Sequence, residues 1–132
     1  MPAEGMLGGY KIAGERVGTD EHPLVRKHLP IDTTVVTTVL EPGVLLKEVE
    51  GKGAGDQSAS VIEHIYVPWA EADAESPCAV VDDRFDPESD ASADCIVHGC
   101  VRTRVLKVGA SSPTAPSVVA LTKLSHHGIF AV

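Results

Sequence analysis

Apolar residues in this chain come in short runs, most of them Val-rich and broken by Gly, Pro or charged clusters. Runs of that length and composition predict strands rather than helices. Thr33-Thr34-Val35-Val36-Thr37-Thr38-Val39-Leu40 is an unbroken row of β-formers and predicts the first strand of the body. Glu41-Pro42-Gly43 follows, with Pro and Gly in the positions of a type II turn. Residues 44–49 predict a second strand, 51–55 a flexible Gly-rich loop, and 61–67 a third strand that Pro68 ends. Cys78-Ala79-Val80-Val81 predicts a fourth. After an acidic loop over 82–94, residues 95–106 predict the longest strand, with a bulge or bend at Gly99.

One segment has a helical period. After Ser111-Ser112-Pro113, Thr114 can cap a helix whose first turn tolerates Pro116. Val118, Leu121 and Leu124 would share one side, His126 and His127 would occupy the last turn, and Gly128 would end it. Ile129-Phe130-Ala131-Val132 predicts a short strand returning to the sheet.

Residues 1–30 keep neither period. They hold Gly5, Gly8, Gly9, Gly14 and Gly18 with scattered apolar residues: Met6, Leu7, Tyr10, Ile12, Val17, Leu24, Val25 and Leu29. This pattern predicts an extended N-terminal arm over 1–30 that orders on a partner through those apolar anchors, or else a plain mobile terminus. Residues 31–132 would then be the β-rich domain. The expected fold class is mainly β (α+β), with one C-terminal helix.

Composition narrows the function classes. The apolar fraction is 43% but aromatics are only 4%, so the core must rest on Val, Ile, Leu and Ala. A net charge of -8 argues against nucleic-acid binding, which needs a basic face. From Glu63 to Asp94 there are ten acidic residues and one basic one, Arg84. From Cys95 to Val132 there are four basic residues and no acidic one. Such segregation suits either contacts between neighbouring subunits or a solvated acidic surface. Three cysteines, an odd set, fit a reducing compartment better than a disulfide framework. No signal peptide or membrane-length apolar run is apparent, so synthesis in a cytoplasm is expected.

Candidate chemistry is sparse. Cys95, His98 and Cys100, with Cys78, suggest zinc by residue type. Along one strand, however, His98 and Cys100 share a face that Cys95 does not, so core cysteine is the favoured reading and a small metal-binding domain the lesser one. His126-His127 diverge by about 100° on a helix, and the carboxylates Asp82-Asp83 read as loop solvation. No nucleophile elbow or phosphate-binding Gly loop is present, so no catalytic, cofactor or metal residue is expected and the chain does not read as an enzyme. Tyr66 and Trp69 suit either the edge of a core or an interface anchor. Arg102 and Arg104 are further interface candidates.

Four stretches, in order, resemble the head decoration protein family of the phage lambda type: Glu41-Pro42-Gly43-Val44-Leu45-Leu46-Lys47-Glu48-Val49; Tyr66-Val67-Pro68-Trp69 with the acidic, Ala-rich stretch after it; Ala93-Asp94-Cys95-Ile96-Val97-His98-Gly99-Cys100-Val101; and Val119-Ala120-Leu121-Thr122-Lys123-Leu124-Ser125-His126-His127-Gly128-Ile129. The likeness spans about 31–132, although Leu46 stands where that family commonly has Gly and Cys100 where it commonly has a polar residue. The resemblance implies a compact β-barrel or tulip-like domain. It implies a homotrimer on the outer surface of an expanded phage head, in the virion, made in the bacterial host cytoplasm. The partner implied is the major capsid protein, gripped by the leading arm, with no direct nucleic-acid or membrane contact. The competing expectation is another β-rich phage accessory of the tail or baseplate.

Overall fold

In the computed structural model, residues 17–19, 23–52 and 62–132 are described. Among them are six strands: β1 (Val25–Pro30), β2 (Leu45–Lys52), β3 (Ile62–Pro68), β4 (Ala79–Val81), β5 (Ser92–Val101) and β6 (Ile129–Ala131). A 3₁₀ turn, Thr103–Val105, and one α-helix, α1 (Val118–Ser125), complete the described elements. The fold is mainly β, as its composition predicts.

Strand order in the sheet is β1-β5-β4-β2-β3, every neighbour antiparallel, and β6 adds to β5 in parallel. β5 is therefore the hub. Ser92 to His98 pair with β1, Cys95 and Ile96 with β4, and Gly99 to Val101 with β6. The outermost strands also meet: Ile31, just past β1, bridges Tyr66 of β3, and the Asp32 N–H donates to the Tyr66 carbonyl at 3.1 Å. That contact rolls the sheet so that its two edges touch.

Several sequence expectations move by a few residues, each for a local reason. The row of β-formers at 33–40 is not a strand. Asp32 accepts hydrogen bonds on Oδ1 from the Thr34 N–H and Thr34 hydroxyl, and its carbonyl accepts from Val35 and Val36. This side-chain-supported turn outcompetes the β-propensity of the run. Only Leu40 pairs, exchanging both backbone bonds with Phe85. The turn at Glu41-Pro42-Gly43 forms as expected, with Gly43 at φ +100°. A methyl group there would lie 2.1 Å from the Val105 carbonyl oxygen, so glycine is required twice over.

Ser117, not Thr114, caps α1, accepting from the Ala120 N–H at 3.1 Å; Thr114 instead pairs with Val108. The helix consequently buries Ala120 and Leu124 and leaves Val118 exposed. Gly128 ends the turn after it at φ +82°.

The largest correction concerns the boundary at residue 30. Residues 25–30 are strand β1 of the body's own sheet, and Val17 is only 1% exposed. Gly18 bridges Val101, and Leu24 packs against the same core as Val17. These residues fold inward because β5 offers an unpaired edge and apolar positions beside it. Met6, Leu7, Tyr10 and Ile12 lie outside the described residues, as do 53–55 of the expected Gly loop.

Two cores flank the sheet. One gathers Val17, Leu45, Trp69, Val80, Ile96, Leu106, Leu124 and Ile129 beneath α1. The other gathers Leu29, Ile31, Val36, Leu40, Leu46, Val81, Phe85 and Cys95 inside the roll. Neighbouring residues of β2, β4 and β5 point alternately into the two, as pleating dictates.

Candidate partner-binding surfaces

The C-terminal end of β5 carries an open sheet face. Ile129 and Ala131 of β6 point into the core under α1, so Phe130 and, beyond the strand, Val132 point outward. Phe130 is 42% and Val132 56% exposed. Cys100 is Phe130's partner on β5. Parallel pairs are ordinarily covered on both faces; here the described residues cover one. A basic residue, Arg104, flanks the open face. Thr103 donates from both its N–H and its hydroxyl to the Val132 carbonyl, which brings Arg104 alongside. Arg104 is exposed. Arg102 is bound inward, its Nη1 donating to the Gly18 carbonyl at 2.8 Å while its N–H donates to Val17. Arg102 therefore fastens the described start of the chain to β5.

The N-terminal end of β5 is acidic. The connection from β4 holds Asp82, Asp83, Asp86, Glu88 and Asp90, against Arg84 alone. Asp82 is bound by Arg26 of β1 at 2.7 Å, and Asp94 by His28. Asp86 and Asp90 fold the turn internally, each accepting backbone N–H bonds. Glu88 is exposed. The neighbouring 32–40 segment, tied to this connection through Leu40 and Phe85, presents Val35 at 61% exposure. β5 has ten residues, so the two ends lie on the order of 30 Å apart.

The remaining sequence candidates separate. Trp69 is 1% exposed, its Nε1 donating to the Glu75 carbonyl at 2.7 Å, so it is a core residue and not an interface anchor. Tyr66 is half-buried, its hydroxyl donating to Glu48 at 3.3 Å. Burial, aided by the Glu48 charge, pushes its phenol up to about 12. Val17 and Leu24 are packing residues, while Val25 stays exposed on β1. Cys95 lies in the core inside the roll, where burial and the nearby Asp94 and Asp82 raise its thiol to about 12. Burial raises Cys78 as well. His98 is exposed and rests against Gly128, so Cys95 and His98 do not converge. Among the described residues no group of three or more His, Cys, Asp or Glu is placed to hold a metal ion.

A charged cluster props α1 on the sheet. Lys47 Nζ lies 3.1 Å from Asp73 and 3.5 Å from Glu75, and Lys123 lies over the Trp69 ring at 5.7 Å. The hydrogen bond to Asp73 raises Lys47 above its ordinary value; the Ala70 N–H, and then Lys47, lower Asp73. Glu71 accepts from both the N–H and the hydroxyl of Ser117, holding the start of the helix.

Sequence reasoning missed Phe130, Val132 and Val35 as surface features. The in–out alternation of Ile129-Phe130-Ala131-Val132 was the available signal for the first two. Val35 carried none, because its run read as a strand. The chain matches no family model, no curated protein and no solved structure.

Proposed function

We propose that this chain is a capsid decoration subunit, which binds an expanded phage head as a homotrimer and stabilises it. The observation that supports this reading most is how the four resembling stretches fall on the fold. They coincide with the Gly43 turn and β2, the end of β3 with buried Trp69, the hub strand β5, and α1 running through Gly128 into β6. Side chains from each stretch meet in the two cores.

Since 17–19 and 23–30 belong to the body, the shell-binding role passes to residues 1–16, with Met6, Leu7, Tyr10 and Ile12 as its apolar anchors. An extended segment adds a strand to its partner and draws affinity from backbone hydrogen bonds. Each such segment loses conformational entropy on docking, and three linked copies offset that loss by multivalency. Binding only the expanded shell shifts the shell's equilibrium towards that state by mass action.

Deleting residues 1–16 tests this in one co-sedimentation and heating experiment with shells. The full chain should pellet with expanded shells and raise the temperature at which they rupture; the truncated chain, its fold checked by circular dichroism, should do neither. Undiminished decoration by the truncated chain, or shells that gain no heat resistance from the full one, would remove the proposal.

A further inference from the structure

We infer that the open β5–β6 face, centred on Phe130 and Val132 with Arg104 at its margin, is where a second copy of this chain seats its acidic end. The inference rests on the reading of the chain as a homotrimer and specifies which surfaces meet.

Symmetry makes the first demand. Around a three-fold axis no subunit can present the same patch to its neighbour that the neighbour presents to it, so each must carry two different, complementary patches. The described surface offers such a pair. One lies at the C-terminal end of β5, where Phe130 and Val132 form an apolar centre beside the exposed Arg104. The other lies at the opposite end of the same strand: exposed Val35, on the segment that Leu40 ties to Phe85, and the exposed Asp83 and Glu88 of the acidic connection. Each patch pairs exposed apolar surface with charge that is mostly of one sign.

Charge decides the orientation. The chain carries -8 overall, so two copies approaching at random repel. Head-to-tail approach brings Arg104, in a segment without acidic residues, against the acidic connection of the next copy. Opposed potentials select that register and disfavour the others. The parallel β5–β6 pair also gains the cover on its outer face that such pairs ordinarily have.

Two charge reversals and their combination provide the test, read as mass by sedimentation at low and at high salt. The wild-type chain should sediment as a multiple of 13.9 kDa, less completely at high salt. Arg104→Glu or Glu88→Arg alone should raise the dissociation constant about tenfold or more. The double variant reverses both patches and should recover the assembly, a recovery that a merely misfolded single variant would not give. Singles without effect on an assembled wild type, or a double that stays dissociated, overturn the inference and leave decoration standing. A monomeric wild type in which Arg104→Glu lowers shell binding assigns the face to the shell protein and overturns it too. An assembled, reversal-sensitive chain that never binds shells supports this interface and defeats decoration instead.

Discussion

Cys95 shows how far residue type alone carries a reading. Its thiol sits between Ala93 and Val81 in a core that Asp94 and Asp82 border, and both burial and those charges disfavour the thiolate. Thiolate is the reactive form. With a value raised to about 12, Cys95 should resist a thiol reagent at pH 8 in the native protein and react fully once denaturant is added. Peptide mass mapping of the alkylated chain would locate the label. Native labelling of Cys95 at the rate of Cys100, which is partly exposed, would mean that the core opens readily. The sequence opposed Cys95 to His98 and Cys100 by simple alternation, but Cys95 joins the core inside the roll and Val101, six residues on, the core beneath α1, so a register shift in β5 breaks that alternation. Nor could the sequence show that Trp69 turns inward, because that depends on Glu75, six residues on, offering its carbonyl to the indole.

Elements were legible where local chemistry and tertiary packing agreed. The Gly43 turn, β2, β3, β4 and β6 all lie within a residue or a few of their sequence patterns, since turn residues and Val-rich runs both pointed the same way. Residues 33–40 were misread because a single aspartate supplies a competing turn, which propensity does not register. The start of α1 was misplaced because its cap is completed by Glu71, 46 positions away. The same region carries a pH dependence. Asp73 is lowered in the fold, so its contribution is complete above the unfolded value of about 3.9 and is lost as pH falls through the range beneath. Lys47 is raised, so its share persists below its unfolded value and is lost as pH climbs past 10.5. Asp73→Asn should cost about 1 kcal/mol at neutral pH. It should also flatten the decline of stability in acid, measured by urea unfolding from pH 7 to pH 2.5. An unchanged acid slope would show that Asp73 takes no part in it.

At the scale of the molecule, the expected division into an arm over 1–30 and a body over 31–132 placed the border too late. A loose composition of Gly, Pro and cancelling charges hid a strand that needs only one buried side chain, Leu29, because β5 supplies its hydrogen bonds. Truncations should therefore differ sharply. Removing 1–16 takes away none of the described core residues. Removing 1–30 strips Val17, Leu24 and Leu29 from the cores. At roughly 1.5–3 kcal/mol for each fully buried side chain, that loss rivals the whole stability of a small domain. The longer truncation should melt far lower or fail to fold, and equal melting of the two would contradict the packing described.

Ala79–Val81 is three residues long, yet no part of it faces water: Val80 belongs to one apolar compartment and Ala79 and Val81 to the other. A party wall of this kind leaves neither room able to collapse without the other. Loosening the packing under α1 shifts Val80, and Val80 moves the backbone that carries Ala79 and Val81. Among the described residues there is consequently no soft half to yield first under load, and resistance to stress on one flank is set by the packing on both.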